Sequence, residues 1–250
     1  MEFLAGKMFG FVLILTRVGA FFSSSPLFSW KAIPVRSKLT MALMVRAFFA
    51  GFTPCRFTSE NMALIEIALL IANEFLYGLA MGFIAYCLFA VVRVSGQIIA
   101  RQMGLMMANV LDPFSGEQSL TLGMLLEIIF ILLLFATSSH HLLIQILSRS
   151  FQSFEPGVTP DIGMLVESVL KATSSLLMLA LQMSAPLLAA FLVLMVVLAF
   201  MARVAPEANM LFLSMPLRVG LGMIMLAIFI PFLTNYIGTF TTWLSRLIPV

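Results

Sequence analysis

Residues 172–202 read ATSSLLMLALQMSAPLLAAFLVLMVVLAFMA, a run of 31 residues without any Asp, Glu, Lys or Arg. Three further runs, 75–92, 128–148 and 219–245, are also free of these charges. An apolar stretch of about 18 residues or more is long enough to span a membrane as a helix. The whole chain has 62% hydrophobic and 10% charged residues, whereas soluble chains carry about 25% charged residues. The sequence therefore predicts an all-α integral membrane-type protein, or a subunit that buries an equally apolar surface in an assembly.

Six apolar units follow one another along the chain, at 4–22, 39–52, 62–92, 120–147, 172–202 and 210–247. The fifth unit would form a helix of about 46 Å, which exceeds a hydrocarbon core of about 30 Å. Pro186 interrupts this unit and Pro231 interrupts the sixth, and each proline removes a backbone hydrogen bond. Because lipid cannot satisfy the freed carbonyl, we expect kinked or broken helices that pack on other helices.

Charged side chains lie within or against these apolar units: Arg17, Glu66, Glu74, Glu127, Arg203, Glu207 and Arg218. Each is costly in such surroundings and needs a partner or water. Two interpretations stay open. The charges pair between helices or subunits, or they form the ion relay of a secondary transporter of a small solute. A polar stripe that repeats every four residues, Arg93, Gln97 and Arg101, emerges from the third unit.

Motifs of catalysis and of metal or cofactor binding are absent from the sequence. There is no HExxH motif and no GxSxG motif. The adjacent His140 and His141 would point about 100° apart on a helix and could not easily share one metal ion. No basic run suggests nucleic acid. We therefore predict a protein that is not an enzyme, with no catalytic residue, cofactor or metal.

The segment between the third and fourth units is unusual, since residues 101–118 read RQMGLMMANVLDPFSGEQ. Its first half is rich in methionine, an unbranched side chain that fills irregular gaps. Gly104, Pro113 and Gly116 disfavour a continuous helix. A hydrophobic constriction can close a pore by excluding water, so a pore-closing loop and ordinary core packing are both physically reasonable.

A series of short motifs runs through almost the whole chain in a fixed order. They are Arg17-Val18-Gly19-Ala20-Phe21, Ser95-Gly96-Gln97, Gln102-Met103-Gly104, Asp112-Pro113, Ser139-His140-His141-Leu142, Arg203-Val204-Ala205-Pro206-Glu207-Ala208-Asn209-Met210 and Met215-Pro216-Leu217. In this order they resemble the FliR-type proteins of the flagellar type III export gate, which are related to the SctT-type subunit of virulence type III secretion systems. Glu207 departs from the pattern, where glutamine is expected.

The resemblance implies a fold of bent helical hairpins in one export-gate domain, 1–250. A FliP-like part would cover about 1–170, including a pore loop at 103–122, and a FliQ-like part would cover about 171–250. The protein would assemble with FliP-type, FliQ-type and FlhB-type subunits in the bacterial inner membrane at the flagellar basal body. The assembled gate would rise above the bilayer plane, and unfolded export substrates would pass through it.

The resemblance also implies two groups of site residues. The pore plug would comprise Met103, Met106, Met107, Asn109, Val110, Leu111, Asp112, Pro113 and Phe114. Subunit contacts or buried polar contacts would comprise Arg17, Arg93, Gln97, Arg101, Glu127, Arg203, Glu207, Asn209 and Arg218.

Overall fold

The computed structural model describes residues 2–29, 34, 36–37, 40–41, 43–44, 64–105, 121–157, 162–205 and 209–247, and every regular element among them is a helix. Seven helices have both ends within these residues. They are α1 (Glu2–Ser24), α2 (Pro26–Ser29), α3 (Leu64–Gln102), α4 (Thr121–Ala136), α5 (His141–Ser153), α6 (Ile162–Val204) and α7 (Met210–Leu247). The predicted all-α fold class is confirmed.

Within the described residues, three helices are long and apolar enough to span a membrane, at Ile65–Gln102, Ile162–Val204 and Phe212–Gly238, and α4 with α5 would make a fourth span if the two are counted together. Helix α6 continues through Pro186, and α7 continues through Pro216 and Pro231, so neither helix is broken at its prolines. The three spans differ sharply in burial. The most apolar window of α3 is 67% buried inside the molecule, but those of α6 and α7 are only 17% and 22% buried. Helices α6 and α7 therefore present most of their apolar surface outward.

The apolar unit predicted at 120–147 does not form one continuous helix. The structure divides this stretch into two helices, α4 and α5. The break falls in the polar run Thr137-Ser138-Ser139-His140, where Ser138 adopts a positive φ of 56° that an α-helix cannot accommodate. The amide of His141 then donates to the carbonyl of Ser138, and α5 begins at His141.

The chain forms two compact units. The first comprises Met1–Leu88, Ser138–Ser174 and Phe240–Val250, and the second comprises Phe89–Thr137 and Ser175–Thr239. Each unit has its own apolar core. The first buries Leu13, Val18, Phe21, Tyr77, Met81, Ile84, Leu147 and Phe151; the second buries Phe89, Val92, Ile99, Leu126, Phe130, Leu134, Leu226 and Leu233. The predicted FliP-like and FliQ-like parts stay a prediction.

Helices α1 and α3 approach closely in the first unit because two glycines on one face of α3 leave room for the α1 backbone. A Cβ atom on Gly78 would lie 2.3 Å from the carbonyl oxygen of Arg17, and one on Gly82 would lie 2.8 Å from that of Phe21. Any larger side chain at either position would push the helices apart. This approach brings Arg17 of α1 next to Glu74, which lies one turn before Gly78 on α3.

Candidate functional site

A buried ion pair joins α1 to α3 in the first unit. The side chain of Arg17 is 0% exposed and that of Glu74 is 3% exposed. The Arg17 Nε donates to Oε2 of Glu74 at 2.5 Å, and Nη2 donates to Oε1 at 3.0 Å. In this bidentate geometry, two N–H groups of the planar guanidinium bind the two oxygens of the planar carboxylate. Arg17, one of the predicted site residues, thus lies in a buried ion pair within the chain.

The remaining polar atoms of this pair are satisfied by the chain around the end of α5. The Arg17 Nη1 donates to the carbonyls of Ser150 at 3.1 Å and Phe154 at 3.0 Å, and the amide of Gly157 donates to Glu74 Oε1 at 3.0 Å. The carbonyl end of a helix carries partial negative charge and favours a cation. We call this group of residues (Arg17, Glu74, Ser150, Phe154 and Gly157) the Arg17–Glu74 cluster.

Two aromatic rings complete the surroundings of the guanidinium. The Cζ atom of Arg17 lies 4.8 Å from the ring centre of Tyr77 and 4.7 Å from that of Phe151. A cation over an aromatic face is attracted by the ring quadrupole, most strongly where water is excluded. The Arg17–Glu74 cluster and these two rings therefore connect α1, α3 and α5 through charge, hydrogen bonds and ring contacts. This geometry holds the three helices together.

A looser ion pair joins α3 to α4 in the second unit. Arg93 Nε lies 3.8 Å from Glu127 Oε2, and the two side chains are 30% and 18% exposed. Gln97 lies one turn further along α3, where its Cγ would be 3.1 Å from a Cβ on Gly123 of α4. Arg101, the last member of the predicted stripe, is exposed. Arg93 and Gln97, the first two residues of the stripe, thus lie against α4, whereas the third, Arg101, is exposed.

Helix α3 stops abruptly at the start of the predicted pore loop. The amide of Leu105 donates to the carbonyl of Ala100, and the amide of Gly104 donates to that of Arg101. Together with a φ of +78° at Gly104, these bonds form a Schellman motif, which ends a helix with a residue in the left-handed conformation. The predicted interruption at Gly104 is confirmed, and its cause is this cap.

Met103, at the base of the predicted loop, is buried against α7. Its side chain is 2% exposed. A Cβ atom on Gly222 would lie 2.6 Å from both Cε and Cγ of Met103 and 2.7 Å from Sδ. Only glycine leaves the space that this methionine occupies. We call the contact between Met103 and Gly222 the Met103 seat.

The other predicted site residues are distributed along the chain. Arg203 is exposed in the last turn of α6, and the backbone carbonyl of Asn209 accepts the amides of Phe212 and Leu213 at the start of α7. Arg218 is half-buried, and its Nε has no hydrogen-bond partner within the described part of the chain. The following predicted residues lie outside the described ones: Met106, Met107, Asn109, Val110, Leu111, Asp112, Pro113, Phe114 and Glu207.

Sequence reasoning did not identify two of the contacts described above. Glu74 was one of several charged residues in the apolar units, and no signal in the chain marked it as the partner of Arg17, 57 residues away. Gly222 belongs to none of the motifs that the sequence analysis quotes. Among the described residues, no three or more His, Cys, Asp or Glu side chains lie together in a way that could hold a metal ion.

The fold and these contacts define the class of protein. It is an all-α protein of the integral membrane type, in which charged side chains within apolar helices pair with one another and most of the apolar surface of two long helices faces outward.

Comparison with known proteins identifies the family. The chain matches the family described as bacterial export proteins, family 1, over residues 8–242, and it belongs to that family. It is 31% identical over 225 residues to the flagellar biosynthetic protein FliR of Bacillus subtilis (strain 168), which covers 87% of this chain and 85% of that relative. It is 29% identical over 223 residues to the protein of the same name from Escherichia coli (strain K12), covering 89% and 84%.

A relative from a virulence system is similar over a shorter stretch. The chain is 30% identical over 168 residues to the Yop proteins translocation protein T of Yersinia pestis, which covers 65% of this chain and 63% of that relative. These matches confirm the resemblance that the sequence motifs carry.

The Arg17–Glu74 cluster makes a prediction about stability. We expect Glu74→Gln to lower the free energy of unfolding in detergent by about 3–5 kcal/mol, because it leaves a buried arginine without its counter-charge. The double variant Arg17→Met/Glu74→Leu removes both charges and is expected to lose less than the single variant does. Chemical denaturation of the wild type and of both variants measures the two losses.

The pair of Glu167 and Lys171 on α6 provides the control. Its atoms lie 2.7 Å apart, but both side chains are about two-thirds exposed. Glu167→Gln is therefore expected to cost less than about 0.5 kcal/mol. Equal losses for Glu74→Gln and Glu167→Gln would contradict a structural role for the buried pair.

Proposed function

We propose that this chain is a subunit of the flagellar type III protein-export channel, where it helps to form and to close the pore through which unfolded flagellar substrates leave the cytoplasm. Family membership and the names of its relatives, the flagellar biosynthetic protein FliR and the Yop proteins translocation protein T, support a role in a type III export apparatus. We infer that its part in export is structural and needs no catalytic residue or cofactor.

The observation that carries the gating part of the proposal is the Met103 seat. The Schellman motif ends α3 at a fixed residue, and Met103 then holds the base of the following segment against α7. A segment that closes a pore must have a fixed base, because its tip can block a channel reproducibly only if its origin does not move. We propose that residues 103–122, and above all Met106, Met107, Val110 and Leu111, form the plug.

The exposed apolar surface of α6 and α7 supports assembly with other subunits. Their span windows are only 17% and 22% buried within the chain, and exposed apolar patches of this extent are typical of contact surfaces with protein or lipid. We propose FliP-type and FliQ-type subunits and an FlhB-type protein as the neighbours, in the inner membrane at the flagellar basal body. In this proposal the assembled gate rises above the bilayer plane, and protein rather than lipid covers these helices.

The geometry of the acidic residues weighs against an ion-coupled transporter of a small solute. Such a protein needs a carboxylate in a span that titrates and that water can reach. Glu74 is buried, and both of its carboxylate oxygens accept hydrogen bonds from Arg17 or Gly157. Glu127 is paired with Arg93 at 3.8 Å. Glu66 is exposed near the start of α3. These arrangements support pairing that holds helices together rather than a relay through the membrane.

Removal of the loop tests the plug directly. We expect deletion of Met106–Gln118 to raise the ion conductance of cells that carry the assembled gate, because the closed pore loses its obstruction. Assembly should persist, since the contacts described above lie outside the deleted residues. Membrane conductance and co-purification of the other subunits are measured together. Unchanged conductance in an assembled gate would contradict the plug.

A single substitution at the Met103 seat tests whether this contact positions the plug. Gly222→Leu places a side chain where Met103 lies, and we expect it to displace the base of the loop and raise conductance in the same direction as the deletion. Gly220→Leu is the matched control, because a Cβ atom on Gly220 meets nothing within 4 Å. If Gly220→Leu and Gly222→Leu have equal effects on conductance, the Met103 seat does not position the plug.

A further inference from the structure

A cavity of about 310 Å³ opens between α6 and α7 within the second unit. Pro186 of α6 lines it, and its walls carry both aromatic rings and polar side chains. The residues that matter here are Gln182, Pro186, Phe229, Phe232, Asn235 and Tyr236. We call this cavity the polar notch. A single buried water requires about 10–15 Å³, so the polar notch is large enough for an entire side chain.

Two polar groups of the polar notch, the Tyr236 hydroxyl and the Gln182 carbonyl, lack a usual hydrogen-bond partner. The hydroxyl of Tyr236 is buried and has no hydrogen-bond partner within the described part of the chain. Pro186 has no N–H to donate to the carbonyl of Gln182, four residues earlier in α6. The side chains of Gln182 and Asn235 are exposed at the same opening. Donors and acceptors thus meet in the middle of two strongly apolar helices.

Lipid cannot satisfy these groups, because acyl chains neither donate nor accept hydrogen bonds. A neighbouring helix can do so, and hydroxyl and amide side chains form such hydrogen bonds between helices in membranes. The surrounding surface already requires cover, since the spans of α6 and α7 are only 17% and 22% buried. The occupant should therefore be a helix that brings both apolar surface and one polar side chain.

We propose that the polar notch receives a Ser, Thr, Asn or Gln side chain from a transmembrane helix of another subunit of the export apparatus. This inference rests on the proposed function and adds to it a point of recognition. The incoming side chain accepts the hydrogen bond of the Tyr236 hydroxyl and donates to the Gln182 carbonyl. The amides of Gln182 and Asn235 close the contact from either side of the opening.

Retention of partner subunits tests the proposal in the assembled complex. We expect Tyr236→Phe, Gln182→Leu and Asn235→Leu each to lower the amount of other subunits that co-purifies with the full chain by about threefold to tenfold, the effect of losing one interhelical hydrogen bond. Thr234→Val is the matched control. Thr234 is the exposed neighbour of Asn235, and its hydroxyl already donates to the carbonyl of Pro231.

The wild-type chain separates the two proposals. If it retains no other export-apparatus subunit under these conditions, the proposed function itself fails. If the wild type retains them and all three variants do so equally well, only the inference about the polar notch is overturned. Tyr236→Phe removes a single oxygen atom, so it remains decisive even if a leucine variant fails to accumulate.

A photo-crosslinking residue in place of Phe232, at the rim of the polar notch, identifies the occupant. The proposal predicts an adduct with a transmembrane peptide of another export-apparatus subunit that carries Ser, Thr, Asn or Gln within one helical turn of the linked residue. Substitution of that residue by leucine should then lower the yield of the adduct. An adduct only with lipid, with a second copy of this chain, or with a purely apolar peptide would overturn the inference.

Discussion

The pairing of Arg17 with Glu74 is the interaction on which the first unit depends. An arginine that is 0% exposed loses its hydration entirely, and only a complete set of partners makes that burial tolerable. The carboxylate of Glu74, two carbonyls at the end of α5 and two aromatic rings provide that set. Because these partners come from α3 and from α5 with its C-terminal end, the charge of Arg17 on α1 can be buried only when all three helices are in place.

The same reasoning applies to the segment that we propose closes the pore. The described residues before this segment fix where it begins. At Gly104 the cap ends α3, and at Met103 the chain is held against the glycine of α7. In our proposal, the plug opens by movement beyond this base, and the contacts at Met103 and Gly104 stay in place.

The sequence alone predicted those features that depend on composition and local chemistry. Long charge-free runs predicted apolar helices, and Gly104 predicted the end of α3, because a helix needs a left-handed residue to stop in this way. The break at Thr137–His140 was not predicted, since a short run of Thr, Ser and His is compatible with a helix in a membrane. The partner of Arg17 and the role of Gly222 could not be predicted, because both depend on which helices pack together. The local sequence around a residue does not show which distant residue it will contact.

We propose that other subunits of an export apparatus cover the apolar exterior of α6 and α7. Native mass spectrometry of the complex purified through this chain, in a detergent that removes bound lipid, tests the claim most directly. It predicts a hetero-oligomer of fixed composition that contains at least two other kinds of export-apparatus subunit. A single copy of this chain without any other subunit, able on its own to move a small solute across a vesicle membrane after reconstitution, would contradict it.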